Sequence, residues 1–75
     1  MIAPIAVLGS GSWGTALAIQ FARAGKPTHL WGRDAAQRAS MRSARVNLRY
    51  LPEAPFPDRL TIADSLEEAL AAVRD

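Results

Sequence analysis

The 75-residue chain contains no cysteine, which excludes disulfides, thiol nucleophiles and sulfur-ligated metals within it. Its single histidine, His29, has no Asp, Glu or second His placed to make a ligand set or a proton relay, so a structural place in a strand is expected and no metal is. No apolar run approaches the roughly 18 residues that a membrane-crossing helix requires. Met1 to Leu8 is apolar but has no basic beginning, and a glycine-rich turn interrupts it before it can act as a signal peptide, so a cytoplasmic location is expected. Charge of one sign is also scarce. Nine Lys and Arg against seven Asp and Glu leave a formal charge of +2, which gives little support to a nucleic-acid partner even with a pI near 9.9.

What is present is a core-forming composition, 49% hydrophobic with two tryptophans, and not a disordered one. The length is about half that of a usual domain. Candidate strands number three, where a complete dinucleotide fold has about six. The expectation is a partial domain over residues 1–75 that opens a longer protein, with one flank of its sheet uncovered.

The most informative segment is Val7-Leu8-Gly9-Ser10-Gly11-Ser12-Trp13-Gly14. Ile5 to Leu8 is a short continuous apolar run suited to a strand buried on both faces, and Pro4 marks its start. Gly9 allows a tight turn, Gly11 lets the backbone approach a pyrophosphate without a Cβ in the way, and Gly14 permits close contact between helix and strand. Ser12 and Trp13 fall in the first helical turn, where amides have no carbonyl partner within the helix and can bind phosphate. Thr15 to Ala24 then reads as a helix with Leu17, Phe21 and Ala24 on one side, ended by Gly25 and Pro27. A second strand, Thr28 to Trp31, completes a Rossmann βαβ unit.

In NAD-specific sites an acidic residue at the end of the second strand holds the ribose hydroxyls. Here Trp31 is followed by Gly32, Arg33 and Asp34. Arg33 can pair with a 2′-phosphate and cover the adenine, which points to NADPH. Asp34 keeps NAD open, although it also suits the N-cap of the next helix.

That helix is expected between Asp34 and Leu48, with Arg38, Arg42, Arg45 and Arg49 along one stripe. A solvated face is the favoured reading of the stripe, over a patch that attracts an anionic cofactor or a nucleic acid. Asn47 to Asp58 carries three prolines, Pro52, Pro55 and Pro57, and reads as a stiff, extended connection. Tyr50 can lie along the adenosine edge, or Tyr50 and Phe56 can pin this loop to the domain. Leu60 to Ala63 suits a third strand. Ser65 and Glu68 are spaced as a capping box for a last helix with Leu66, Ala69, Leu70 and Val73 on its apolar side. That helix start accounts for the paired carboxylates Glu67 and Glu68 without invoking chemistry. The fold class is therefore α/β, an incomplete βαβαβα portion of a Rossmann-type parallel sheet.

Gly9-Ser10-Gly11-Ser12-Trp13-Gly14-Thr15-Ala16-Leu17-Ala18, Leu30-Trp31-Gly32-Arg33-Asp34 and Asn47-Leu48-Arg49-Tyr50-Leu51-Pro52 together resemble the N-terminal end of bacterial NAD(P)-dependent glycerol-3-phosphate dehydrogenases. The resemblance covers essentially the whole chain. It implies an enzyme that interconverts glycerone phosphate and sn-glycerol 3-phosphate with NAD or NADP, feeds phospholipid synthesis, and can form homo-oligomers at full length. It also implies that Ser12 and Trp13 match cofactor-contacting positions, that Arg33 matches one at the adenosine end, and that Tyr50 does so in some members. The family's catalytic lysines lie in parts this chain does not include. Lys26, at the far end of the first helix, cannot take their place, so no catalytic residue is expected here. Two further readings stay open: a non-enzymatic dinucleotide-binding module, and a truncated fragment that binds nothing.

Overall fold

A computed structural model describes residues 3–74. The elements run β1 (Ile5–Leu8), α1 (Ser12–Arg23), β2 (Thr28–Trp31), α2 (Ala35–Ala44), β3 (Leu60–Ile62) and α3 (Leu66–Val73). The strands form one parallel sheet in the order β1-β2-β3, an incomplete Rossmann-type βαβαβα arrangement as the sequence predicts.

Register explains where the core lies. Val7 pairs with Leu30 and Leu30 with Ile62, while Ile5 pairs with Thr28 and Thr28 with Leu60. Paired residues of a parallel sheet share a face, so these six side chains make one surface and Ala6, His29 and Thr61 lie on the other. Onto the first surface pack Ala18, Ile19 and Ala22 of α1, Met41 of α2 and Phe56 of the long connection. α3 contacts β1 and β2, the strands α1 also covers, and therefore takes the opposite face. Only Ala69 of α3 is fully buried; Leu66 and Leu70 remain partly in solvent, as does Leu8 at the end of β1.

The buried side of α1 differs from the expected one. Leu17 is 41% exposed, and the helix buries Thr15, Ala18, Ile19 and Ala22 instead. The cause is Gly14, whose missing side chain lets the helix press on the Gly9 carbonyl. That contact sets the rotation of the helix, and residues one, four, five and eight positions on then follow Gly14 onto the sheet. At the other end Gly25 takes φ +90, with its amide donating to Ala22 O at 3.0 Å and that of Lys26 to Phe21 O at 3.1 Å. This is a Schellman closure, in keeping with the expected glycine stop.

α2 is shorter than the sequence suggests. It ends at Ala44, and Arg45 turns into the left-handed region at φ 57. The arginine stripe is therefore broken, because Arg45 and Arg49 lie beyond the helix, and the arginines are not simply a solvated face. Arg38 donates to the carbonyls of Gly32 and Arg33 at 2.8 and 3.0 Å, and Arg42 to Ile62 O at 3.2 Å while pairing with Asp64. Arg45 donates to Pro57 O at 2.8 Å and lies over Phe56. Arg49 lies 5.5 Å over the Tyr50 ring and 3.7 Å from the Asp34 carboxylate. Three of the four hold backbone carbonyls: Arg38 those of the turn after β2, Arg45 one of the connection after α2, and Arg42 that of Ile62 at the end of β3.

The connection itself is not simply extended. A turn closed by an Asn47–Leu51 bridge opens it, and the Phe56 amide donates to Arg45 O at 2.8 Å before the chain enters β3. Of the two aromatic residues considered as pins, Phe56 is buried and Tyr50 is 44% exposed.

Ser65 caps α3 by accepting from the Glu68 amide at 3.0 Å. The Glu68 carboxylate returns to the Asp64 amide at 2.7 Å, one residue before the position a capping box would use. Replacing Ser65 with Ala is expected to lower stability by about 1 kcal/mol. Urea denaturation followed by circular dichroism checks this, and an unchanged midpoint would show that the cap contributes nothing.

Candidate dinucleotide site

The carboxyl end of the sheet carries the glycine turn. Gly9 has φ +126, a conformation that side chains other than glycine rarely adopt. A Cβ at Gly14 would collide with the Gly9 carbonyl oxygen, with Val7 Cγ1 behind it at 3.6 Å, so this glycine provides the close helix–strand contact expected of it. A Cβ at Gly11 would meet nothing within 4 Å: its missing side chain leaves open the space in front of α1.

The amino end of α1 stands apart from those of the other helices. Asp34 caps α2 by accepting from the amides of Ala36 at 2.9 Å and Gln37 at 3.2 Å, and Ser65 caps α3. Gly11 at the N-cap of α1 offers no side-chain cap, and the first turn holds no acidic residue. The amides of Ser12, Trp13 and Gly14 consequently keep the unfilled hydrogen-bonding capacity and partial positive charge of a helix start. Ser12 and Trp13 are exposed there, Trp13 at 77%.

Ser10 is the polar centre of the site, a role absent from the sequence reading. Its hydroxyl donates to Gln37 Oε1 at 2.7 Å. Its carbonyl accepts from Gln37 Nε2 at 3.1 Å, from Asn47 Nδ2 at 2.9 Å and from Thr15 Oγ1 at 3.3 Å. Asn47 is wholly buried; its Nδ2 also donates to Thr15 Oγ1 at 2.8 Å, and its Oδ1 accepts from the Tyr50 amide at 3.1 Å. Glycine turn, α2 and the Tyr50 loop are thereby fastened together. The only trace of this in the sequence is four scattered amide- and hydroxyl-bearing residues, which patterning alone assigns to turns and caps.

Gly32 also acquires a reason. A Cβ there would run into the Ser10 side chain, hydroxyl included. The position after β2 where an acidic residue was sought is therefore closed to any side chain while Ser10 keeps its bond to Gln37. The next residue, Arg33, is exposed, and its guanidinium makes no hydrogen bond or ion pair among the described residues. Tyr50 is exposed with its ring beneath Arg49. A cleft of about 380 Å³ opens between α2 and the loop that follows it, lined by residues including Gln37, Met41, Asn47 and Arg49.

A parallel sheet with a glycine-built, uncapped helix start at its carboxyl end defines the opening portion of a Rossmann-type nucleotide-binding fold. Residues 4–75 match the family described as NAD-dependent glycerol-3-phosphate dehydrogenase N-terminus, and the chain belongs to that family. A glycerol-3-phosphate dehydrogenase [NAD(P)+] of Idiomarina loihiensis is 55% identical over 95% of this chain and 21% of its own. One of Haemophilus influenzae is 50% identical over 96% of this chain and 22% of its own. The crystal structure of glycerol-3-phosphate dehydrogenase from Coxiella burnetii superposes with a TM-score of 0.92 at 44% identity, covering 96% of this chain and 22% of that one. The chain thus spans about a fifth of the length of the relatives it matches.

The clash at Gly32 gives a direct test. Gly32→Ala is expected to destabilise the chain by about 1–3 kcal/mol, the usual range for overpacking. Adding Ser10→Gly, which removes the obstructing side chain, should recover part of that loss in chemical denaturation. Simple additivity of the two losses would disprove the contact.

Proposed function

We propose that this chain is the pyrophosphate- and adenosine-binding part of an NAD(P)-dependent glycerol-3-phosphate dehydrogenase. The single observation that carries the proposal is the helix start of α1, which neither a side-chain cap nor a first-turn carboxylate fills and which opens on free space at Gly11. A diphosphate resting there would meet the amides of Ser12 and Trp13, with Gly9, Gly11 and Gly14 shaping the turn. The names of the relatives support the same reading.

Arg33 and Tyr50 take the adenosine end in this proposal, and NADP(H) is the preferred cofactor. Support comes from Asp34, whose carboxylate is engaged by the amides of Ala36 and Gln37 and lies 3.7 Å from Arg49. It is committed to the helix, and Gly32 cannot be replaced by an acid. A free guanidinium beside a committed carboxylate favours a 2′-phosphate over a bare ribose diol.

When bound, the nicotinamide supplies the hydride that interconverts glycerone phosphate and sn-glycerol 3-phosphate. This chain's residues bind and orient the other end of the cofactor. None of them is assigned a catalytic role, and the 75-residue chain alone is expected to show no turnover. Residues 1–75 are proposed as a partial domain: α3 follows β3 yet packs back on β1, and among the described residues the outer edge of β1 has no strand partner. A strand continuing beyond α3 and pairing with β1, with a substrate domain for the phosphorylated triose further on, completes the enzyme. A cytoplasmic location and self-association at full length belong to the same proposal. No helix among the described residues is long and apolar enough to cross a membrane.

Calorimetric titration of the chain with NADPH and NADH tests the reading. NADPH is expected to bind more tightly, and Arg33→Ala should lower its affinity about tenfold while changing that of NADH little. An unchanged ratio removes Arg33 from the site. No saturable heat with either dinucleotide, from a chain that unfolds cooperatively, favours the fragment that binds nothing.

A further inference from the structure

We infer that Asn47 is a positioning residue for the cofactor: it aims the amide of Gly11, as a phosphate donor beside those of Ser12 and Trp13, and ties that aim to the loop carrying Tyr50. The inference rests on the dinucleotide reading above. It starts from the planarity of the peptide bond. In a trans peptide the carbonyl of one residue and the amide hydrogen of the next point in opposite directions. Whatever holds the buried Ser10 carbonyl therefore turns the Gly11 N–H the opposite way, at the residue that forms the N-cap of α1.

Three donors hold that carbonyl, and they come from three different segments. Thr15 belongs to the helix that follows the turn, Gln37 to α2, and Asn47 to the connection 37 residues away in sequence. Asn47 makes a good bond to it, at 2.9 Å, and is the one of the three whose side chain also serves a second cofactor element. Its Oδ1 accepts from the Tyr50 amide, so one buried amide group fixes the turn with its nitrogen and the adenosine-side loop with its oxygen. Thr15 and Gln37 have no such second attachment. Asparagine alone among the small side chains supplies a donor and an acceptor from one planar group. Asn47 is 0% exposed, so in the intact chain both bonds are made within the protein.

Asn47→Asp separates the two attachments. A carboxylate keeps an oxygen for the Tyr50 amide but presents a second oxygen, in place of a donor, to the Ser10 carbonyl and Thr15. The experiment titrates the chain with ADP, which carries a diphosphate, and with adenosine 2′-monophosphate, which does not, following the Gly11, Ser12 and Trp13 amides by ¹⁵N–¹H NMR. Asn47→Asp is expected to weaken ADP about tenfold and adenosine 2′-monophosphate less than about twofold, whereas Asn47→Ala weakens both. Equal losses for the two ligands in Asn47→Asp, or an undiminished ADP affinity, overturn the proposal. If circular dichroism shows that the buried carboxylate unfolds the chain, Gln37→Met decides. It removes a second donor from the same carbonyl on a half-buried helix position, and a selective loss of ADP of about threefold is expected. No loss there overturns the proposal as well. Absence of any ADP response in the unsubstituted chain overturns the dinucleotide reading itself, and is told apart because it appears before any substitution.

Discussion

The approach of Gly14 to the Gly9 carbonyl is the constraint on which the rest of the molecule depends. It presses the first turn of α1 against the end of β1, and it is possible because Gly14 carries no side chain and Gly9 takes φ +126. Helical periodicity then selects which side of α1 meets the sheet: small residues, Thr15, Ala18 and Ala22, with Ile19 as the larger exception. Small side chains keep helix and strand close along their length, and the closeness keeps the helix start directly above the carboxyl end of the sheet. The apolar burial that stabilises the domain and the exposure of the first-turn amides thus follow from one contact.

Around that contact the polar groups are arranged as a closed set. Ser10 fills the space a side chain at Gly32 would need, bonds α2 through Gln37, and presents its carbonyl to Thr15 and Asn47. Buried polar groups are tolerated when each finds a partner, and such a set becomes specific because moving one member strands the others. The irregular connection after α2, which has no regular element to hold it, is fixed by the Asn47 bonds and by Arg45, which holds its Pro57 carbonyl. Arginine suits this task. Its guanidinium donates to backbone carbonyls while its flat face covers an aromatic ring, as Arg38 does over Trp31 and Arg45 over Phe56.

The two faces of the sheet are unequal. One is packed by α1, α2 and Phe56 into a continuous core; the other is covered by α3, which leaves Leu8, Leu66 and Leu70 partly in water. A parallel sheet ordinarily has both faces covered, and a chain spanning about a fifth of its relatives' length holds few of the elements that do so.

The sequence by itself determined the order and type of all six elements, the glycine turn, the caps at Asp34 and Ser65, and the family, because each is written in neighbouring residues: apolar runs, glycine spacing, and side chains that bond their own backbone. It misplaced the buried side of α1, ran α2 on to Leu48 and lined up the arginines on one stripe, since the contact that rotates α1 and the bonds that stop α2 at Arg45 come from partners elsewhere in the chain. Only the tertiary structure brought Asn47 and Gln37 to Ser10, and explained Gly32 by what stands against it and not by a missing acid. The physical reason is range. Capping and periodicity act over three or four residues, whereas a buried side-chain amide finds its partners across 37.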